Sequence, residues 1–511
     1  MIEKLLRSPA AWVALGASYF FGLWWMSIPL TGDQKIYLTI ALEMRERGEI
    51  LIPYLFSAPN FLKPPLQYWA TLVGWKLFGF GLFGALAPSV LALFASAWWV
   101  KRISGSQTWI PSVFFCSTLA SMTYGTTSQM EIWVVLFYLT AWGLSLNQRP
   151  GLAWAVAGVM AWIKGPLYPV LWGLGWMLEK ILNRQARELI RVRTLIQILL
   201  GVALGLLWFV LASRTHFDQL VGVFMKRENL GKMNTPQGTS IGLWAEFIAT
   251  LFPMLPWLVW SVFASPSGER IWNRNFLIAF GLIPAIFFTV FPYRVGTYLY
   301  PLTPVAIWLM REERFEPVGK WKVPGLLLVW VPAIILALLV LRLGAGGWLT
   351  ISLSGFLLVS LAFWAIAHLR FNPAWIALAS LMLVTGIRLG GGQLGERDLS
   401  TLRSQAVGAT GVYYWMENED IWHEVGLMSA AIGQRIHLLK TMNEVNQVLK
   451  MGAKVIFTDE QGAFANGLKC QDWVRLKRRM KFPLRELILS GLRVDDPALS
   501  RRYQICGLGQ P

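Results

Sequence analysis

Cysteine is nearly absent, with three in 511 residues, too few to staple a chain of this length, so a disulfide-built scaffold is excluded. Histidine is scarce too, at four residues, and no Cys or His zinc spacing, Gly-rich phosphate loop or nucleophile elbow occurs. Charged residues make up only 14%, and acids are the rarer sign, 28 against 46 Lys and Arg. A chain with so little charge and 55% hydrophobic residues does not stay disordered. Its length would suit several soluble domains, but 28 Trp and a mean hydropathy of +0.49 do not. The composition is that of a polytopic membrane protein. In that setting the net charge of +18 records basic loops at one membrane face and does not indicate a nucleic-acid partner.

Runs long enough to cross a bilayer, about 17 to 25 residues each, occur near 10–30, 83–99, 108–124, 131–146, 151–163, 167–178, 194–213, 241–263, 275–291, 295–310, 323–341, 348–368 and 373–388. This gives about thirteen spans, and alternate connections should carry the Lys and Arg excess if the orientation is real. They do. One set holds Lys4 and Arg7, Lys101 and Arg102, Arg149, the run from Lys180 to Arg193, Arg270 and Arg274, Arg311 to Lys322, and Arg370. The short connections of the other set hold single charges, Lys164, Arg294 and Arg342. The N-terminus is therefore expected in the cytoplasm and the C-terminus outside.

Two outer loops are long, about 31–82 and about 214–240. The first opens with a helical stretch from Asp33 to Arg47 and ends in an amphipathic stretch around Tyr68 to Phe78, both expected in the interface plane. Beyond about Gly392 the composition becomes that of a soluble protein, so the chain divides into a membrane part, 1–391, and a tail, 392–511. Strand-like runs at Val407–Trp415, Ile436–Leu439, Lys454–Thr458 and Tyr503–Gly507, with a helix at Asn443–Lys450, make the tail a small α/β unit. Cys470 and Cys506 both fall in it, on the oxidising side by this topology, so a bridge between them is open. The basic run from Arg475 to Arg485 suits solvent or anionic headgroups.

Charged groups at span ends are costly to place and need an account. Asp33 follows the first span and Glu131 begins the fourth, both at the outer level, where a carboxylate pair serves as general base and orienting partner. Each has a structural alternative: Asp33 as a helix N-cap, Glu131 as a favourable charge at a helix start. Lys63, before two prolines, Tyr68 after it, Lys164 before Gly165-Pro166, and Arg294 beside Tyr293 and Tyr298 lie at the same level. Cations around a carboxylate pair are what a phosphate leaving group needs, although interfacial snorkelling also places Lys, Arg and Tyr there.

The stretch GDQKIYLTIALEMRERGEILIPYLFSAPNFLKPPLQYW resembles the first periplasmic loop of the bacterial aminoarabinose transferases and their protein mannosyltransferase relatives, integral-membrane glycosyltransferases of the GT-C fold. The resemblance continues through Glu131, Lys164-Gly165-Pro166, Arg227-Glu228-Asn229 and Tyr298-Leu299-Tyr300-Pro301, about 300 residues in consistent order. It implies a mainly α fold with a periplasmic α/β tail, in the bacterial inner membrane. It also implies a sugar donor on a polyprenyl phosphate and an acceptor that is lipid A, another envelope glycan or a protein hydroxyl. Asp33 matches the catalytic acid, with Glu131 assisting. Lys63, with Arg294 and Lys164, matches the donor-phosphate cations, while Tyr37, Tyr68, Arg227, Glu228 and Tyr298 fall in substrate-binding positions.

Gln34 stands where a second acid is usual, Glu131 where Asp is, and Lys232 where arginine is. Leu62 and Asn229 replace the Glu and His that the family associates with a metal ion, so no metal or other cofactor is expected. The competing reading is a transporter or flippase of lipid-linked sugars, which would need charges along a mid-membrane path; those noted here gather at one face. An oligosaccharyltransferase is disfavoured because Trp24-Trp25 is followed by Met26, with no Trp-Trp-Asp element anywhere.

Overall fold

The computed structural model describes residues 32–55, 58–263, 274–310, 348–369 and 375–383. In the tail it describes 409–415, 425–439, 441–458, 468–470, 474–477 and 500–507, together with residues 16, 19, 327, 329, 373, 385 and 404–406. Most of the first expected span, the expected span at 323–341, the boundary at Gly392 and the basic run beyond Lys477 lie outside the described residues.

The first long loop forms helix α1 (Gly32–Arg47), a two-residue hairpin of β1 (Tyr54–Leu55) and β2 (Ala58–Pro59), and helix α2 (Leu66–Phe78). Helix α3 (Leu82–Ser104) follows, then α4 (Glu131–Leu146), α5 (Pro150–Lys164) and α6 (Leu167–Leu182). Helix α7 (Val192–Gln219), kinked at His216, runs into a π-helix, Leu220–Leu230, and a last turn at Gly231–Asn234. After a loop come α8 (Ser240–Thr250) and α9 (Leu255–Phe263), then α10 (Arg274–Val290) and α11 (Trp348–Leu369). Among the described residues, α3 and the helix Val192–Asn234 are long and apolar enough to cross a bilayer, and α8 with α9, bent by 105°, form a third span if counted as one.

Besides 241–263, which bends between α8 and α9, two expected spans are not continuous helices. The run at 108–124 is split into Ile110–Cys116 and Leu119–Gly125 at Thr118, which is extended and accepts a hydrogen bond from the Ser121 amide. That break leaves no orphan group at Leu119, whose amide donates to the Phe252 carbonyl across the bundle. The run at 295–310 starts as a 3-10 turn, Gly296–Leu302, and becomes helical only at Thr303–Trp308, because Pro301 and Pro304 lack the amides a longer helix would use.

The apolar run from Leu152 to Leu178 is cut at Gly165, whose φ of +86° is left-handed and whose missing side chain leaves room for the Phe224 ring. Helices α5 and α7 cross where Gly158 meets Gly201 and Gly205, a small-residue contact that lets the backbones touch. Most of the remaining α7 surface, including Leu199, Leu200 and Leu206, is exposed apolar, as a lipid-facing helix is.

The tail folds into a six-stranded mixed sheet from β3 (Val412–Trp415), β4 (Ile436–Leu439), β5 (Lys454–Thr458), β6 (Lys469–Cys470), β7 (Val474–Lys477) and β8 (Ser500–Gly507). Strand order is β4-β3-β5-β8-β6, with β7 also on β8; the first three strands are parallel, and β8 is antiparallel to its neighbours. Helix α12 (Val425–Ile432) links β3 to β4 and α13 (Met442–Lys450) links β4 to β5. Alternation along the strands sorts the two faces. Val412, Tyr414, Ile436, Ile456 and Ile505 pack with α12, while Trp415, Leu439, Val455, Phe457 and Cys506 pack with α13. Cys470 and Cys506 face each other in register on β6 and β8 and form a disulfide.

Helix α1 does not lie bare in an interface plane. Its Leu38, Ile40, Ala41 and Met44 are fully buried, with α12 packed along it and Ala430 of α12 joining the core of the helical part.

Candidate active site

Three stretches distant in sequence bring their ionisable groups together. The first is α1 with the loop after it, which supplies Asp33, Tyr37, Lys63 and Tyr68. Asp33 occupies the first turn of α1, one residue past Gly32, and not the cap position expected for it; a carboxylate there is favoured by the helix dipole. It is exposed, and its charge bears on Tyr37, Tyr68 and Lys63. Burial first, then the Asp33 carboxylate, push the Tyr37 and Tyr68 hydroxyls above the ordinary tyrosine range, so both remain donors. The two rings meet edge to face, 6.0 Å between centroids, and the Tyr68 hydroxyl is buried without a hydrogen-bond partner. Gln34 is also fully buried, with neither end of its amide partnered.

The second stretch joins the starts and ends of membrane helices. Glu131 opens α4 and Lys164 closes α5, and the Lys164 Nζ donates to Glu131 Oε1 at 2.6 Å. Glu131 stands at a helix start, where a carboxylate is electrostatically favoured, and its partner is a cation at a helix C-terminus. The segment before Glu131 is fixed by Gln67 Nε2, which donates to Ser128 Oγ at 2.9 Å, with Thr71 Oγ1 at 3.3 Å from the same hydroxyl.

The third stretch is the π-helix. Its Glu228 receives Lys63 Nζ in a short ion pair and Lys232 Nζ at 2.7 Å. A π-helix advances more residues per turn than an α-helix and is a recurrent device at functional sites. Here it turns Glu228 inward while Arg227 is exposed; Arg227, expected at the substrate, is not brought to this cluster. Burial raises the Glu228 carboxyl, but Lys63 and Lys232 outweigh it and hold it below the usual carboxylate range. Burial and then Lys232 draw Lys63 down, against the pull of Glu228.

Aromatic rings tie the two ion pairs together. Lys164 sits over Tyr298 at 5.4 Å and Lys232 over Tyr293 at 5.3 Å, with the two tyrosine rings 6.3 Å apart. Arg294, between them in sequence, is turned away. Its Nε donates to the Thr289 carbonyl at 3.1 Å, and its terminal nitrogens donate to the Val290 and Gly238 carbonyls at 3.4 Å. It thus closes the last turn of α10, whose end carbonyls lack intrahelical partners, and is not part of the cation group. Lys232, to which the sequence reading gave no role at the site, joins it through Glu228; the spacing of four residues between them was a signal that could have found the pair.

The residues around Glu228 do not fit a divalent ion. Two ammonium groups already share that carboxylate, Leu62 is apolar, and among the described residues no three His, Cys, Asp or Glu converge. Lys63, Glu228 and Lys232 together carry one net positive charge, which suits an anion.

The chain is 27% identical over 328 residues to undecaprenyl phosphate-alpha-4-amino-4-deoxy-L-arabinose arabinosyl transferase 1 of Pseudomonas fluorescens, covering 59% of this chain and 54% of that protein. It is 22% identical over 323 residues to the corresponding transferase of Photorhabdus laumondii, covering 56% of each. Among solved structures it matches ArnT from Cupriavidus metallidurans in the apo state with a TM-score of 0.68 at 15% identity, over 98% of this chain and 100% of that one. The chain resembles the aminoarabinose transferases in sequence and shares their fold. The same ArnT bound to undecaprenyl phosphate matches with a TM-score of 0.62 at 16% identity, over 97% of each chain. No family model matches. The chain spans about half the length of the curated relatives it matches. The fold is thus mainly helical and is that of the ArnT structures.

Proposed function

We propose that the chain is a glycosyltransferase that moves a sugar from a polyprenyl-phosphate donor to an envelope acceptor, lipid A or another lipid, glycan or protein hydroxyl, at the periplasmic face of the inner membrane. The observation that carries this is the Lys63–Glu228–Lys232 group, one net positive charge beside an exposed carboxylate, Asp33, at the mouth of a membrane helix bundle. A departing lipid phosphate is an anion at that level, and the two ammonium groups would neutralise it as the sugar C1–O bond breaks. Asp33 takes the acceptor proton when the acceptor is a hydroxyl and orients the acceptor when it is already an anionic phosphate. Glu131, fixed by Lys164, holds the second acidic position, and the Tyr37 and Tyr68 hydroxyls are donors to the sugar. Thirteen spans, a cytoplasmic N-terminus and a periplasmic tail at 392–511 complete the reading, supported by the charge alternation of the loops and by the Cys470–Cys506 bridge.

The test is Asp33→Asn, which keeps the shape and removes the charge. Transfer with purified donor should fall by roughly two to four orders of magnitude, while thermal stability changes little, since a dipole contact at a helix start is worth about 0.3–1 kcal/mol. Unchanged transfer would remove Asp33 from the chemistry.

A further inference from the structure

The C-terminal sheet reaches the helix that carries Asp33. Helix α12 is buried on both sides: Val425, Met428 and Ile432 pack into the sheet, while Ala430, 2% exposed, belongs to the core that contains Leu38, Ile40, Ala41 and Met44 of α1. Just beyond α12, Arg435 Nε pairs with Glu46 Oε1 at 2.9 Å. The other charges in the last turns of α1 are also committed. Arg45 lies over Phe80 at 4.5 Å, and Arg47 lies over Tyr54 at 4.4 Å and 4.0 Å from Glu43. Leu82, at the start of α3, packs against the α12 face of the sheet.

Helix α1 is therefore held along its flank and at its C-terminal end, while Asp33 occupies its N-terminal turn beside the buried Gln34 and Lys35, about 20 Å away along the axis. A rigid helix fixed at one end transmits its register to the other. We propose that the C-terminal sheet braces the acid-bearing helix, and that Arg435 is a positioning residue which sets the height of the Asp33 carboxylate through Glu46. The Arg435 side chain is 51% exposed, so the pair contributes little to stability; α1 itself stops at the left-handed Gly48, and the pair ties that end to the sheet. The inference rests on the reading of Asp33 given above.

The test uses the full chain in detergent or nanodiscs, with Arg435→Glu, Glu46→Arg and the double exchange, and Ala430→Trp as an independent wedge between α12 and α1. Protection of Cys470 and Cys506 from alkylation reports that the sheet is folded. With the bridge intact and the melting temperature unchanged, each single exchange should raise hydrogen exchange of the α1 amides from Asp33 to Leu38 and lower kcat, by up to about 100-fold for a displacement near 1 Å. The donor KM should hold, and the double exchange should restore both readouts. The brace is overturned by exchange that rises only around Glu46 and Arg435, by an unchanged kcat, or by a double exchange that restores neither. If Arg435→Glu opens the bridge, Ala430→Trp decides on the same two readouts. Should the wild-type protein transfer no sugar at all, the reading of the site fails, and the exchange pattern alone decides the brace.

Discussion

Glu228 is shared by two lysines, and their charges hold its carboxyl below the usual carboxylate range. Its folded carboxyl titrates below the ordinary value of 4.5, so the unfolded chain binds its proton first as the pH falls. The stability it contributes is full above 4.5 and is lost as the pH drops through the folded value. Glu228→Gln should lower the melting temperature near neutral pH and flatten its decline on the acid side; an unchanged acid slope would show that the lysines are not held by this charge. Residue-level reading from sequence did well where a charge is expensive. Lys164 and Glu131 stood out at span ends and form one pair, and Lys63 finds an acid in the π-helix 165 residues away. It failed for Arg294, because an arginine at a helix end satisfies backbone carbonyls that no local pattern reveals.

Helices set the spacing of these groups, and two glycines carry much of that load. A side chain at Gly165 would require a left-handed φ of +86° and would place Cβ 2.6 Å from the Phe224 ring. Gly165→Ala should cost about 1–3 kcal/mol in backbone strain and overpacking, and should misplace Lys164 and the π-helix together, so Lys164–Glu131 and Lys63–Glu228 should weaken in concert. Gly158 has no slack at all, with Cβ 2.1 Å from the Gly201 carbonyl, so Gly158→Ala should push α5 off α7; a thermal shift no larger than that of a lipid-facing substitution such as Leu199→Ala would refute this. Apolar length alone could not place such breaks. The split at Thr118 and the 3-10 turn before Thr303 depend on partners across the bundle, whereas the cut at Gly165-Pro166 was visible because both residues punctuate locally.

The chain couples a helical bundle to a C-terminal sheet, and its membrane topology is directly measurable. Reporter tags in the Glu179–Arg193 loop should read cytoplasmic and tags beyond Gly392 periplasmic; a cytoplasmic tail would reverse the site's membrane face. The bridge from Cys470 to Cys506 closes a segment of 36 residues, so Cys506→Ser should destabilise the sheet by about 2–4 kcal/mol. The overall class was legible because hydropathy and loop charge act over whole segments, but the burial of α1 was not, since its cover comes from the opposite end of the chain. That order has a consequence for biogenesis. Glu46 and Arg435 are separated by 389 positions (435 − 46), so ribosomes adding about 5 to 20 residues per second need roughly 20 to 80 s to deliver α12 after α1 has emerged. Throughout that interval the flank of α1 that meets α12 waits uncovered, and every nascent chain must shelter it until its own last fifth arrives.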